Sequence, residues 1–248
     1  MSAVAAPAAV LGLTGCLGVE TTPEKSARAE AKASKELKEQ QKGLKIGKPN
    51  TTIKVETSAL VQDPNGVAAV VRIKNTGSVQ ASVPIAITVD DAKGKKLYAN
   101  DIPGLDPSLT SVAVVEAGQE VDWVNNQILV AGKAAKVAAV VGAAKGKAPG
   151  ALPKIVISDV MHDKDEDGFY AQGTIANASD VPQKRLVVTC VARDGDKVIA
   201  AGRAVVEKLD PAKILKKPTK FTVFFIGDPK RADLTCSAPP TVLSGATK

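Results

Sequence analysis

The chain has 248 residues, 44% of them hydrophobic and 3% aromatic, with a formal net charge of +7. That length accommodates one to two domains with ordinary cores, while so few aromatic rings argue against a surface that recognises carbohydrate or single-stranded nucleic acid by stacking. One histidine, His162, and three cysteines, Cys16, Cys190 and Cys236, with no Cys-x-x-Cys, exclude the usual zinc spacings.

The first element is an Ala/Val/Leu-rich stretch from Ala3 to Leu13, broken once by Pro7. It has the length of a secretory h-region and is too short to span a bilayer. No Lys or Arg lies between Met1 and Ala3, where export signals carry a basic segment, so the true start is expected upstream of Met1. The stretch ends in Leu13-Thr14-Gly15-Cys16, which resembles the lipobox of bacterial lipoprotein precursors. The resemblance implies that residues 1–15 are a signal peptide, that the chain is cut before Cys16, and that the Cys16 sulfur carries a diacylglyceryl group. Everything downstream would then be extracytoplasmic, anchored to the cell membrane by an N-terminal lipid. The plainer alternative is an Ala-rich N-terminus with an incidental cysteine. No later stretch approaches the ~18 apolar residues of a spanning helix, so the lipid is the expected membrane contact.

Residues 16–50 read as a flexible Lys/Glu-rich tether. Between Glu24 and Lys48 stand eight Lys/Arg against four Glu, an excess of four positive charges beside the lipid site. Leu37 is the one large apolar residue between Ala27 and Gly43, so this segment has no apolar stripe with which to dock as an amphipathic helix. Its lysines either add affinity for anionic headgroups, roughly 1 kcal/mol each near the surface, or serve a soluble spacer.

After Pro49 the chain changes to short Val/Ile/Thr-rich runs separated by Gly, Asn, Asp and Pro, the signature of antiparallel β modules. The reading is all-β: two tandem immunoglobulin-like antiparallel β-sandwich domains, 51–143 and 153–240, joined by a Gly/Pro/Lys linker at 144–152 and followed by a tail at 241–248. Strands are expected at Ile53–Leu60, Val67–Lys74, Ile85–Asp90, Ser111–Glu116, Glu120–Asn125 and Lys136–Val141. In the second domain they are expected at Lys154–Val160, Phe169–Ala176, Leu186–Ala192, Lys197–Val206, Lys220–Ile226 and Ala232–Cys236.

The domains read as copies of each other. Asn65-Gly66 and Asn75-Thr76-Gly77-Ser78 recur 102 positions later as Asp167-Gly168 and Asn177-Ala178-Ser179-Asp180. A hydrophobic strand then runs into a charged turn in each, Asp90 to Gly94 or Arg193 to Asp196, with the Asp and Gly residues that hairpins use. The asparagines are natural turn formers. Trp123 is either the core plug of the first domain, as in other sandwiches, or an exposed contact residue. In the second domain Phe221, Val223 and Phe225 share one face, and Phe224, opposite, is the candidate to pack between domains.

Strict alternation puts Leu186, Val188 and Cys190 on one face, and Cys236 with Leu234 and Ala238 on another. In an oxidising compartment Cys190 and Cys236 are a reasonable disulfide, with two free core thiols as the alternative.

The second copy resembles the FxLYD-type extracytoplasmic β-sandwich modules of bacterial surface proteins, through Gly173 to Ser179 and Val191 to Ile199. Ala192-Arg193 stand where that family has an aromatic residue before the aspartate. The resemblance implies fold and surface location; the family shares no catalytic residues. The first copy matches through Asn75-Thr76-Gly77 and Asp90 to Gly94.

Asp163-Lys164-Asp165-Glu166-Asp167-Gly168 matches the opening of a calcium loop, with Asp163, Asp165 and Asp167 as candidate ligands. Thr174 stands at the twelfth position in place of Glu, and the flanks are β rather than helical, so a solvated acidic hairpin turn is the alternative. There is no Gly-x-Ser-x-Gly elbow, no phosphate loop and no His-Glu-x-x-His, and no spacing argues for paired carboxylates at Asp122 or Asp159. The expectation is therefore a non-catalytic, lipid-anchored cell-surface protein that binds or scaffolds at the envelope. Its expected partners are the membrane, an envelope protein or an anionic envelope polymer, and not nucleic acid. A calcium- or ligand-binding receptor using residues 163–168 is the alternative.

Overall fold

The computed structural model describes residues 43–146, 148, 151–214, 218–230 and 232–243. The expected signal peptide, Cys16 and most of the tether lie outside these residues. The first module contains β1 (Ile53–Asp63), β2 (Gly66–Asn75), β3 (Gln80–Asp90), β4 (Lys96–Ala99), β5 (Ser111–Val115), β6 (Glu120–Ile128) and β7 (Lys136–Val141). The second contains β8 (Ile155–Asp165), β9 (Gly168–Asn177), β10 (Gln183–Asp194), β11 (Lys197–Leu209), β12 (Thr219–Phe224), β13 (Ile226–Gly227) and β14 (Asp233–Ser237). All these strands pair antiparallel.

In each module two sheets enclose a core. The order β1-β2-β6 in the first is repeated by β8-β9-β12 in the second. Opposite these, β3 pairs with β4, β5 and β7, and β10 pairs with β11 and β14. The copies differ at one place: β11 runs unbroken along β10, whereas its counterpart is split into β4 and β5 by residues 100–110. That excursion holds a 3₁₀ turn at Pro107–Leu109, started by the Asp106 side chain accepting from Ser108 N.

Asn75 and Asn177, fully buried, latch the two sheets of their modules. Asn75 Nδ2 donates to the carbonyls of Ser78, Val115 and Glu116, while its Oδ1 accepts from Gly77 N. Asn177 repeats this with the carbonyls of Val181 and Leu209 and with Ser179 N. The turn-forming asparagines of the sequence thus also supply buried donors that no other side chain there replaces.

The first core contains Ile73, Ile85, Ile87, Ile128 and Trp123, the tryptophan being 4% exposed. The second is built from Ile175, Leu186, Val188, Phe221, Val223 and Phe225 around Cys190. A third joins the modules: Ala68, Val70 and Val124 of the first pack on Val191, Val198, Ala201 and Ile226 of the second. The central strand β2 is therefore covered on both faces, and so is much of the β10-β11 surface. This accounts for the unbroken apolar run Val67-Ala68-Ala69-Val70-Val71, because a strand buried on both sides loses its polar alternation.

Several expected boundaries move. The fold begins before residue 51, since Ala143 N donates to Lys48 O and Pro49 bridges Gly142. The start of the expected linker belongs to the first module, where Lys145 N and Gly146 N bond the carbonyls of Ser82 and Ala81. The start of the tail is held as Thr241 N and Val242 N donate to Gln183 Oε1. β3 starts at Gln80 rather than Ile85, with Ser82 in the left-handed region at φ 52° and Pro84 still paired opposite Ser111. β4 is an added short strand. Phe224 does not pack between the modules: it is 44% exposed and meets Tyr170 at 5.9 Å on the outer sheet.

Candidate functional site

Of the residues singled out in the sequence, Cys16 lies outside the described part. Cys190 and Cys236 face each other as register partners of β10 and β14, with Cα atoms 4.1 Å apart, and form a disulfide. Asp163, Asp165 and Asp167 are exposed in the β8–β9 hairpin and do not come together as a ligand set. Asp165 Oδ1 instead accepts from Asp167 N and Gly168 N, closing the turn. Among the described residues no group of three or more His, Cys, Asp or Glu side chains is placed to hold a metal ion. The predicted calcium ligands are thus a capped hairpin, because a tight β-turn splays successive carboxylates rather than wrapping them around one centre. His162 is exposed, and Asp159 sits in a bulge of β8, accepting from Ser158 Oγ and Thr174 Oγ1. Asp122 is taken up by arginines of both modules.

The fold assembles a cleft between the modules. In the first module, among the described residues, β5 pairs only with β3 and β6 only with β2, so the sandwich edge between β5 and β6 is unsealed. The β10-β11 face of the second module covers this edge and leaves a cavity of about 290 Å³. Its walls are largely apolar, with Val112, Val121 and Trp123 on one side and the register pair Val187 and Val205 on the other. Trp123 is fixed by its Nε1–H, which donates to Ser108 O at 3.0 Å.

Polar groups gather at one end. Asp106 Oδ2 is bonded by Arg185 Nη2, and Asp106 Oδ1 accepts from Ser108 Oγ, which in turn accepts from Arg203 Nη2. The split between β4 and β5 carries Asp106 and Ser108, and this excursion of the first module is what meets the arginines of the second. Burial alone would raise the Asp106 carboxyl. The hydrogen bonds from Ser108, with the Arg185 and Arg203 guanidiniums, outweigh it and hold the carboxyl below the ordinary range. The Arg203 side chain is 3% exposed, and its Nε finds no hydrogen-bond partner among the described residues. Burial lowers its affinity for the proton, with Asp106 opposing and Arg185 adding to the effect.

A second contact spans the modules at Asp122. Arg72 of its own sheet bonds it through Nε at 3.1 Å and Nη2 at 3.2 Å, and Arg193 of the second module approaches Oδ1 at 2.8 Å. Thr189 Oγ1 donates to the Asp122 carbonyl. A second cleft of about 580 Å³, sharing Val121 and Pro239 with the first, is lined by Ile155, Ile157 and Cys236 of the second module with Val114 and Glu120 of the first.

Sequence reading missed Asp106, Ser108, Arg185 and Arg203. Three of them stand in ordinary-looking strand or turn text; the available signal was the unbroken apolar run of β2 beside the alternating text of β9, which marks a face that needs a partner. Among the described residues no helix is long and apolar enough to cross a membrane. No protein-family model matches the chain, and no curated protein matches it.

Proposed function

We propose that this chain is a non-catalytic binding protein of the bacterial envelope, held outside the cytoplasm by a lipid on Cys16 and binding its ligand in the cleft between the two modules. The observation that carries the reading is the cleft itself: two sandwiches fused through a shared apolar core leave an apolar-walled opening with charged groups at its margins. Ligand sites favour such concave junctions between modules. The Cys190–Cys236 bridge supports an oxidising compartment, since disulfides of this structural kind persist mainly in exported proteins. The lipobox-like Leu13-Thr14-Gly15-Cys16 supports the anchor, and the basic stretch after it supports a tether close to anionic headgroups.

The test is the intact mass of the protein from its own host, fractionated into membrane and soluble parts, beside a Cys16→Ser variant. The wild-type chain is expected in the membrane, beginning at Cys16 and heavier by a diacylglyceryl group, with the variant released or unprocessed. An unmodified chain from Met1 in the cytosol overturns the reading.

A further inference from the structure

We propose that the inter-module cleft takes a small amphipathic anion, its apolar body against Val112, Val187, Val205 and Trp123 and its single negative charge toward Lys184 and Arg185. This rests on the reading of the cleft as the binding site and adds the class of ligand. Three observations carry it.

The cavity, about 290 Å³, stands at the lower end of the range that small-molecule sites occupy. Its valine and tryptophan walls offer nothing to a uniformly polar ligand, whose groups would lose water without gaining partners.

The charge at its polar end is unbalanced. Arg185 and Arg203 face one lining carboxylate, Asp106, and Lys184 also lines the cleft, while the other carboxylate, Asp122, is already occupied by Arg72 and Arg193. A cationic ligand would meet this excess with repulsion, and a neutral one would leave it unanswered.

Arg185 is also held in an unusual backbone. Its φ of 50° places it in the left-handed region, where glycine would ordinarily stand, although the β10–β11 register runs on unshifted to either side, and its side chain is 57% exposed. An exposed guanidinium on this backbone can turn from Glu207, 3.2 Å away and itself exposed, to an incoming anion at little cost.

The experiment uses the full chain and two probes with similar aromatic bodies, 8-anilinonaphthalene-1-sulfonate and its uncharged relative N-phenyl-1-naphthylamine. Trp123 is the one tryptophan in the chain, so energy transfer from it reports bound probe, and its loss on filling the cleft assigns the probe to this site. The expected result is saturable transfer to the sulfonate at one per chain, displaced by decanoate, with the neutral probe bound about tenfold more weakly, as loss of one ion contact implies. Lys184→Gln with Arg185→Gln should erase that difference while both probes still bind. Val205→Phe, which fills the cleft without adding a tryptophan, should abolish transfer to both. Equal binding of the two probes to the wild-type chain overturns the ligand class and leaves the cleft as a site. Saturable transfer to neither overturns the site as well.

Discussion

Ser82 and Arg185 hold the same place in the two copies: each is a left-handed residue within a strand of unshifted register, with φ of 52° and 50°, one position before the core-facing valine or leucine of the central strand, and both line the cleft between the modules. Gln80 and Gln183 stand two residues earlier, and each pins a flanking segment, Asn50 in one copy and Thr241-Val242 in the other. The repeat therefore preserves backbone and latch while changing the side chain at the left-handed position from a hydroxyl to a guanidinium. That substitution gives the second copy a cation at the cleft.

Replacing Asp106 tests the polar end of the cleft. Asp106→Asn removes the carboxylate shared by Arg185 and Arg203 and leaves a buried guanidinium without an anion, at a cost of about 2 kcal/mol. The pH dependence has a definite sign. The folded-state carboxyl lies below its ordinary value, so its stabilisation is full above about pH 4 and is lost as pH falls through the folded value. Urea midpoints should separate wild type and variant clearly at pH 7 and converge in acid; a gap that persists at pH 2 contradicts the assignment.

The third core predicts cooperative unfolding of the modules. Ala201 is fully buried between Val70, Val124 and their neighbours, so Ala201→Glu places an unpaired charge in that interface. Calorimetry of the full chain should show one transition for wild type and two for the variant, with the earlier one at least several degrees lower. Two transitions in the wild type would mean that the modules are energetically independent.

The disulfide closes a loop of 46 residues within the second module. The chain-entropy model assigns such a loop about 4 kcal/mol. The double variant Cys190→Ala, Cys236→Ala should lower the denaturation midpoint accordingly, and treatment of the wild type with reductant should reproduce the shift. A midpoint unchanged in both experiments contradicts a structural bridge.

The asparagine latches should be equivalent in the two copies. Asn75→Ala and Asn177→Ala each leave buried carbonyls, including Val115 O and Leu209 O, without donors, and each should cost about 2–3 kcal/mol in chemical denaturation. Asn65→Ala, at an exposed turn, should stay within ~0.5 kcal/mol of wild type.

The strands and the repeat were legible because alternation and turn residues are local signals. β7 is found at its expected Lys136–Val141, and the Cys190–Cys236 pairing follows from two strand faces. The cleft was not legible, since it depends on how two sheet faces meet. Its hint lay in composition: Ala68, Val70 and Val124 of the first copy correspond by register to Tyr170, Gln172 and Thr222 of the second, so the first copy's face is apolar and covered while the second copy's is polar and open. The break between β4 and β5, which delivers Asp106, carries in Pro103-Gly104 and Pro107 only the marks of any turn.

The most direct test of the account is native mass spectrometry of the protein drawn gently from the membrane fraction of its own host, wild type beside Val205→Phe. The account predicts a lipidated chain with one small anionic molecule bound in the wild type and none in the variant. A wild-type chain that carries nothing, or a ligand retained equally by the variant, would contradict it.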